Sequence, residues 1–159
     1  MAYTETEIKV RNATNEQPWG PTGQQMSELA AISMSGVHFA ELMGTLWSRM
    51  YQDNLTGNRN WRRTYKSLLL LDYLIKNGSE QIVTAAQSKI QLLRRLENYV
   101  FVEKQSGKDT GSNVRQKAKK LIELLSDNDR ICSERQKARL LRDKFVGISS
   151  DSITSLTYR

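Results

Sequence analysis

Trp61-Arg62-Arg63-Thr64-Tyr65-Lys66-Ser67-Leu68-Leu69-Leu70-Leu71-Asp72-Tyr73-Leu74-Ile75 is basic at its start and apolar over the rest. Its reading decides the fold. Trp61, Tyr65, Leu68, Leu69, Asp72 and Ile75 fall on one face of an α-helix, and Leu70, Leu71, Tyr73 and Leu74 fill the other side. A helix apolar almost all round needs neighbours on both sides, so this one is expected at the centre. Asn77-Gly78 reads as its C-cap pair, and Ser79-Glu80 opens the next helix.

Outward from this segment the same period recurs. Phe39, Leu42, Met43, Leu46, Trp47 and Met50 line one face of a helix before it. Ile82, Val83, Ala86, Ile90 and Leu93 carry the stripe of the helix after it. Val114, Ala118, Leu121, Ile122 and Leu125 give another, with Ser112 or Asn113 as its N-cap. A last helix runs from about Asp127 toward Lys144 with Ile131, Leu140, Leu141 and Phe145 apolar. Pro18-Trp19-Gly20-Pro21 ends a first helix and starts a second near Thr22. Asp53 to Asn60 and Ser106 to Asn113 read as polar loops, Tyr99 to Val102 as a short extended connector, and Ser149 to Arg159 as a frayed tail. No segment sustains period-2 alternation. The chain is therefore all-α, with seven or eight short helices in a stack whose hand the pattern leaves open.

The chain has 159 residues, with 24 Lys and Arg against 17 Asp and Glu, a net +7, and a sequence pI near 9.6. That length suits one domain with one core. The apolar run around Leu68 to Leu71 is broken by Asp72 and is too short to span a bilayer. The N-terminus lacks the basic start and apolar run of a signal peptide. One Cys132 and one His38 exclude an intramolecular disulfide and a Cys/His zinc site. The Asn-x-Ser/Thr matches at Asn12, Asn54 and Asn77 then read as chance in a cytosolic chain.

Enzyme readings fail. His38 has no nucleophile at a motif spacing and flanks the Phe39 helix instead. Gly107-Lys108 lacks the upstream glycine of a P-loop, and Asp109 stands where Ser or Thr would bind magnesium. No metal or cofactor site is expected.

The charge is uneven. Residues 1–58 hold three bases and six acids, a net −3, and residues 59–159 hold 21 bases and 11 acids, a net +10. The change is sharpest at Arg59, Arg62, Arg63 and Lys66, with no acid among them. Cations in the first two turns of a helix oppose its dipole, which favours anions there. A phosphate at that spot would meet free backbone N–H groups and guanidinium forks. A solvated basic face is the competing reading of the same run.

Pro18-Trp19-Gly20-Pro21, Asn60-Trp61-Arg62-Arg63-Thr64-Tyr65-Lys66 and Tyr73-Leu74-Ile75-Lys76-Asn77-Gly78-Ser79-Glu80 resemble the epsin N-terminal homology (ENTH) domain. Gly107-Lys108-Asp109-Thr110-Gly111-Ser112-Asn113-Val114-Arg115 and Asp129-Arg130 continue the match in order. Within the family, Leu46-Trp47-Ser48-Arg49-Met50, the Leu68 to Leu71 run, Leu96-Glu97-Asn98-Tyr99 and Lys144-Phe145-Val146-Gly147 are most similar to the Golgi and endosomal epsin-related proteins. The resemblance places the domain at 3–148 and a flexible tail at 149–159. It implies a right-handed superhelix of about eight short helices that binds phosphoinositide headgroups and adapts clathrin coats to membrane and cargo.

By that resemblance the headgroup ligands fall on Arg11, Arg49, Arg59 and Arg63, with Arg62 and Lys66 as support. Only Met1 and Ala2 precede Tyr3, so the amphipathic N-terminal helix of membrane-bending relatives has no counterpart here. Headgroup binding should then be weaker and more salt-sensitive. Glu16 stands where plasma-membrane epsins carry an amide-type ligand, and a carboxylate beside a phosphate site is unfavourable. This points either to a less charged headgroup, such as a monophosphate, or to greater reliance on protein contacts. The second option has a family precedent in a Vti-type SNARE N-terminal domain as cargo, bound with the help of Arg142, Lys144, Phe145, Val146 and Gly147. Clathrin and adaptor motifs would lie beyond Arg159. The domain is expected to be a cytoplasmic, membrane-peripheral monomer on Golgi, endosomal or clathrin-coated membranes. Nucleic acid is disfavoured as a partner, because Trp61 and Tyr65 sit on the expected core face and leave no aromatic platform for bases.

Overall fold

The computed structural model describes residues 2–51 and 61–152, with side chains as far as Lys144. Arg59 and the polar loop before it lie outside the described residues, as do the side chains expected to act at 145–147. Eight α-helices are described: α1 (Glu5–Ala13), α2 (Gly23–Ile32), α3 (Gly36–Tyr51), α4 (Trp61–Asn77), α5 (Glu80–Ser88), α6 (Ile90–Arg95), α7 (Gly111–Leu125) and α8 (Asn128–Ser152). A 3-10 turn, Leu96–Asn98, follows α6. Among the described residues the only β-pairing is an isolated antiparallel bridge between Val102 and Asp109. It joins the stretch read as an extended connector to the polar loop read after it.

α4 is the central helix, as its all-round apolar pattern requires. It packs against α1, α2, α3, α5, α7 and α8. Leu68, Leu70, Leu71, Leu74 and Ile75 are fully buried, each side chain contributing about 1.5–3 kcal/mol of transfer free energy. Leu42, Met43, Leu46 and Met50 of α3 are buried as predicted, and Phe39 and Trp47 pack partly buried against them. Trp61 and Tyr65 also lie against the core, with ring centroids 6.0 Å apart.

Several helix ends follow from local chemistry. Thr4 and Glu7 form a capping box on α1, and Thr22 and Gln25 form one on α2. Ser79 caps α5 by accepting from the Gln81 N–H. Other ends differ from the sequence reading. α1 stops at Ala13, well before Pro18, because the Thr14 hydroxyl turns back to donate to the Val10 carbonyl at 2.8 Å. Gly78 has no positive φ and is not a left-handed cap. It is glycine because a Cβ there would lie 2.7 Å from the Leu74 carbonyl oxygen and 3.0 Å from Ser33 Oγ.

α7 starts at Gly111, with Thr110 in the cap position and no side-chain cap bond, rather than at Ser112 or Asn113. The connector decides this start. The Gly111 N–H donates to the Phe101 carbonyl at 3.0 Å, and Arg115 holds both Asp109 and the Tyr99 carbonyl. α8 continues past Lys144 to Ser152, so the first residues of the expected tail have helical backbone. Arg135 of α8 donates to the carbonyls of Ile75, at 2.6 Å, and Gly78, at 2.8 Å, fastening α8 to the end of α4.

Candidate phosphate-binding site

The C-terminal end of a helix carries partial negative charge and unsatisfied carbonyls. At the end of α1, three of the predicted site cations meet three consecutive residues. Arg49, in the last turn of α3, donates from Nε to Thr14 Oγ1 at 3.0 Å and from Nη2 to the Thr14 carbonyl at 2.9 Å. Lys66 donates from Nζ to Asn15 Oδ1 at 2.6 Å. Arg63 donates from Nη2 to Glu16 Oε1 at 2.7 Å. Residues widely separated in sequence are thereby drawn to one corner of the molecule.

Their environments differ. Arg49 and Lys66 are buried, at 5% and 4% exposure, whereas the Glu16 side chain is 56% exposed. Lys66 is desolvated and faces a neutral amide. Burial first, and then the charge of Arg62, lower its pKa from the ordinary value. A buried ammonium without a carboxylate is a place where an arriving anion gains more than it would in water.

Arg11 and Arg62, the other predicted cations among the described residues, stack on aromatic rings instead. Arg11, in the last turn of α1, sets its guanidinium 4.2 Å above the Tyr3 ring. It lines a groove of about 520 Å³ between α1 and α3 with Glu7, Glu41 and Ser48. Arg62 turns back over Trp61, 5.0 Å from the ring centroid. The run that reads as one cluster thus divides: Arg63 and Lys66 point to residues 14–16, and Arg62 points to an aromatic face. Thr14 and Asn15 were not singled out by sequence reasoning. Their position in the polar stretch between α1 and Pro18 was the available signal, but nothing local ties that stretch to α3 or α4.

Near the far end of the chain, Arg142 donates to Asn77 Oδ1, Lys144 is exposed, and Leu140 and Leu141 are 61% and 57% exposed. Leu141 and Arg142 line a groove of about 610 Å³ with Ser27, Tyr73 and Asn77. Among the described residues, no group of three or more His, Cys, Asp or Glu side chains is placed to hold a metal ion. No described helix is long and apolar enough to cross a membrane.

Comparison with known proteins meets this geometry. The ENTH domain family model matches residues 3–131. The chain is 55% identical over 158 residues to human clathrin interactor 1, covering 99% of this chain and 25% of the relative. It is 39% identical over 157 residues to rat epsin-2, covering 96% of this chain and 26% of that protein. The chain thus spans about a quarter of the length of these relatives. Among solved structures, the human epsinR ENTH domain superimposes with a TM-score of 0.82 at 56% identity, over 87% of this chain and 98% of the other. The epsin-2 ENTH domain in complex with phosphatidylinositol 4,5-bisphosphate gives 0.78 at 35% identity, over 86% and 93%. The central α4, the helical stack around it and the ordered motifs of the sequence therefore have one common explanation: the chain belongs to the ENTH domain family.

Proposed function

We propose that this domain binds phosphoinositide headgroups and serves as the membrane adaptor of an epsin-related protein in clathrin-mediated vesicle traffic. The observation that carries the reading is the convergence of Arg49, Arg63 and Lys66 at the end of α1. It occurs in a fold shared with an epsin-2 domain solved in complex with phosphatidylinositol 4,5-bisphosphate. Arg63 and Lys66 supply the charge, Arg49 holds the corner together, and Arg11, Arg59 and Arg62 serve as further cations toward the headgroup. The relatives named clathrin interactor 1 support a clathrin connection, and the likeness to epsinR supports a Golgi or endosomal membrane. The domain acts at the membrane periphery as a monomer.

Liposome co-sedimentation with vesicles carrying single phosphoinositides tests this. Wild type is expected to pellet in a salt-sensitive manner, and Arg63→Glu to stay in the supernatant. Equal pelleting of the two proteins would overturn the reading.

A second reading is a cargo surface for a Vti-type SNARE N-terminal domain, favoured by the exposed Leu140 and Leu141 beside Arg142. Backbone resonance shifts confined to Arg142–Gly147, with Arg59–Arg63 unmoved, are its expected signature. Absence of any shift on adding that SNARE domain would remove it.

A further inference from the structure

We infer that Glu16 is an internal counter-ion that a headgroup phosphate displaces from Arg63, so that filling the site is an exchange rather than a simple addition. The inference rests on the headgroup reading above and concerns how that site is controlled.

The two halves of the pair are held differently. Arg63 projects from α4 with its side chain 19% exposed, whereas Glu16 lies on the irregular segment after α1 with its side chain 56% exposed. Among the described residues, Arg63 is the one partner of the Glu16 carboxylate. The residues before it are secured independently, Asn15 by Lys66 and Thr14 by Arg49. Glu16 is therefore free to swing into solvent without loosening the segment that carries it.

A second 2.7 Å Arg–carboxylate pair among the described residues shows the contrast. Asp109 accepts from both Nη1 and Nη2 of Arg115, at 3.3 and 2.7 Å, and Arg115 in turn holds the Tyr99 carbonyl. That carboxylate cannot leave without loosening the arginine that ties α7 to the connector before it. Glu16 has no such second duty.

An exposed ion pair is weak. A phosphate can replace it with a charge-assisted fork to the same guanidinium and can also approach the desolvated Lys66. The displaced carboxylate stays close by and repels the incoming anion, more strongly the more negative the headgroup. Glu16 thus both lowers affinity and biases the site against highly charged headgroups.

The test compares wild type, Glu16→Gln, Arg63→Gln and the double variant. Phosphatidylcholine vesicles carrying a phosphatidylinositol monophosphate or bisphosphate form one arm, and calorimetric titration with soluble inositol trisphosphate forms the other. Glu16→Gln is expected to bind about two- to fivefold tighter, with the larger gain on the bisphosphate. A gain in both arms assigns the exchange to the headgroup itself, and a gain on vesicles alone assigns it to the lipid surface. In the Arg63→Gln background the gain should vanish. A gain of the same size there would show a general charge effect and overturn the exchange. Wild-type and Glu16→Gln affinities that are equal, with Arg63→Glu still non-binding, would overturn the exchange and leave the headgroup reading standing. Failure of both wild type and Glu16→Gln to bind in either arm would overturn both.

Discussion

The ammonium of Lys66 lies 2.6 Å from Oδ1 of Asn15, a residue 51 positions earlier, and the lysine is almost completely buried. A cation is thereby held in the interior against a neutral amide. It joins the central helix to the end of α1 and leaves a positive charge for something else to neutralise.

Because burial lowers the Lys66 pKa from 10.5, the unfolded chain takes up this proton more readily than the folded one. Protonation therefore favours unfolding. Relative to Lys66→Met, wild type should lose stability as pH falls from above 10.5 through the lowered value, and regain it as pH rises. Urea unfolding of both proteins across the alkaline range measures the difference. A gap that does not change with pH would show that burial does not govern this lysine.

Arg49 makes two hydrogen bonds to one residue, Thr14, from inside the protein. A lysine has no fork with which to repeat that geometry. Arg49→Lys should cost about 1–3 kcal/mol of folding stability and weaken vesicle binding with it. Arg63→Gln should weaken vesicle binding with a smaller loss of stability. Chemical denaturation and co-sedimentation on the same samples separate the two effects. An unchanged unfolding midpoint in Arg49→Lys would show that the bridge is not structural.

Gly78→Ala places a methyl group 2.7 Å from the Leu74 carbonyl oxygen. It should lower stability by about 1–3 kcal/mol. Gly78→Asn should be no better, since asparagine relieves a left-handed conformation and not a close approach. Thermal melts of both variants decide the point, and rescue by asparagine would contradict it.

The bond from Arg115, ahead of its charge, holds the Asp109 carboxyl below its usual value of 3.8. A lowered carboxylate pKa stabilises the fold above the unfolded value and ceases to do so as pH falls through the folded one. Wild type should therefore lose its advantage over Asp109→Asn on acidification below about 4. Asp109→Asn, in turn, should show a flatter acid limb in circular dichroism. Parallel acid limbs would remove the pair from the stability account.

Much of the fold was legible because helical burial is written locally. The stripes of α3 and α4, the cap at Ser79 and the start near Thr22 each depend on residues a few positions apart. What escaped depends on distant partners. Gly78 read as a cap by its neighbours, but Ser33, from the end of α2, crowds it. The start of α7 is chosen by the Phe101 carbonyl, and Ser112 and Asn113 carry no trace of that. The candidate site shows the same division. A basic run without acids was visible at Arg59 to Lys66. That Arg63 and Lys66 turn to residues 14–16 while Arg62 turns to Trp61 is a property of the stack.

The guanidinium of Arg135 has a practical bearing on how the domain can be cut. The family match ends at residue 131, four positions before the side chain that occupies the Ile75 and Gly78 carbonyls. A fragment trimmed to that limit would leave the Ile75 and Gly78 carbonyls, at the end of its own central helix, without this donor. A piece of the chain that keeps this fastening extends beyond the family boundary, at least through Arg135.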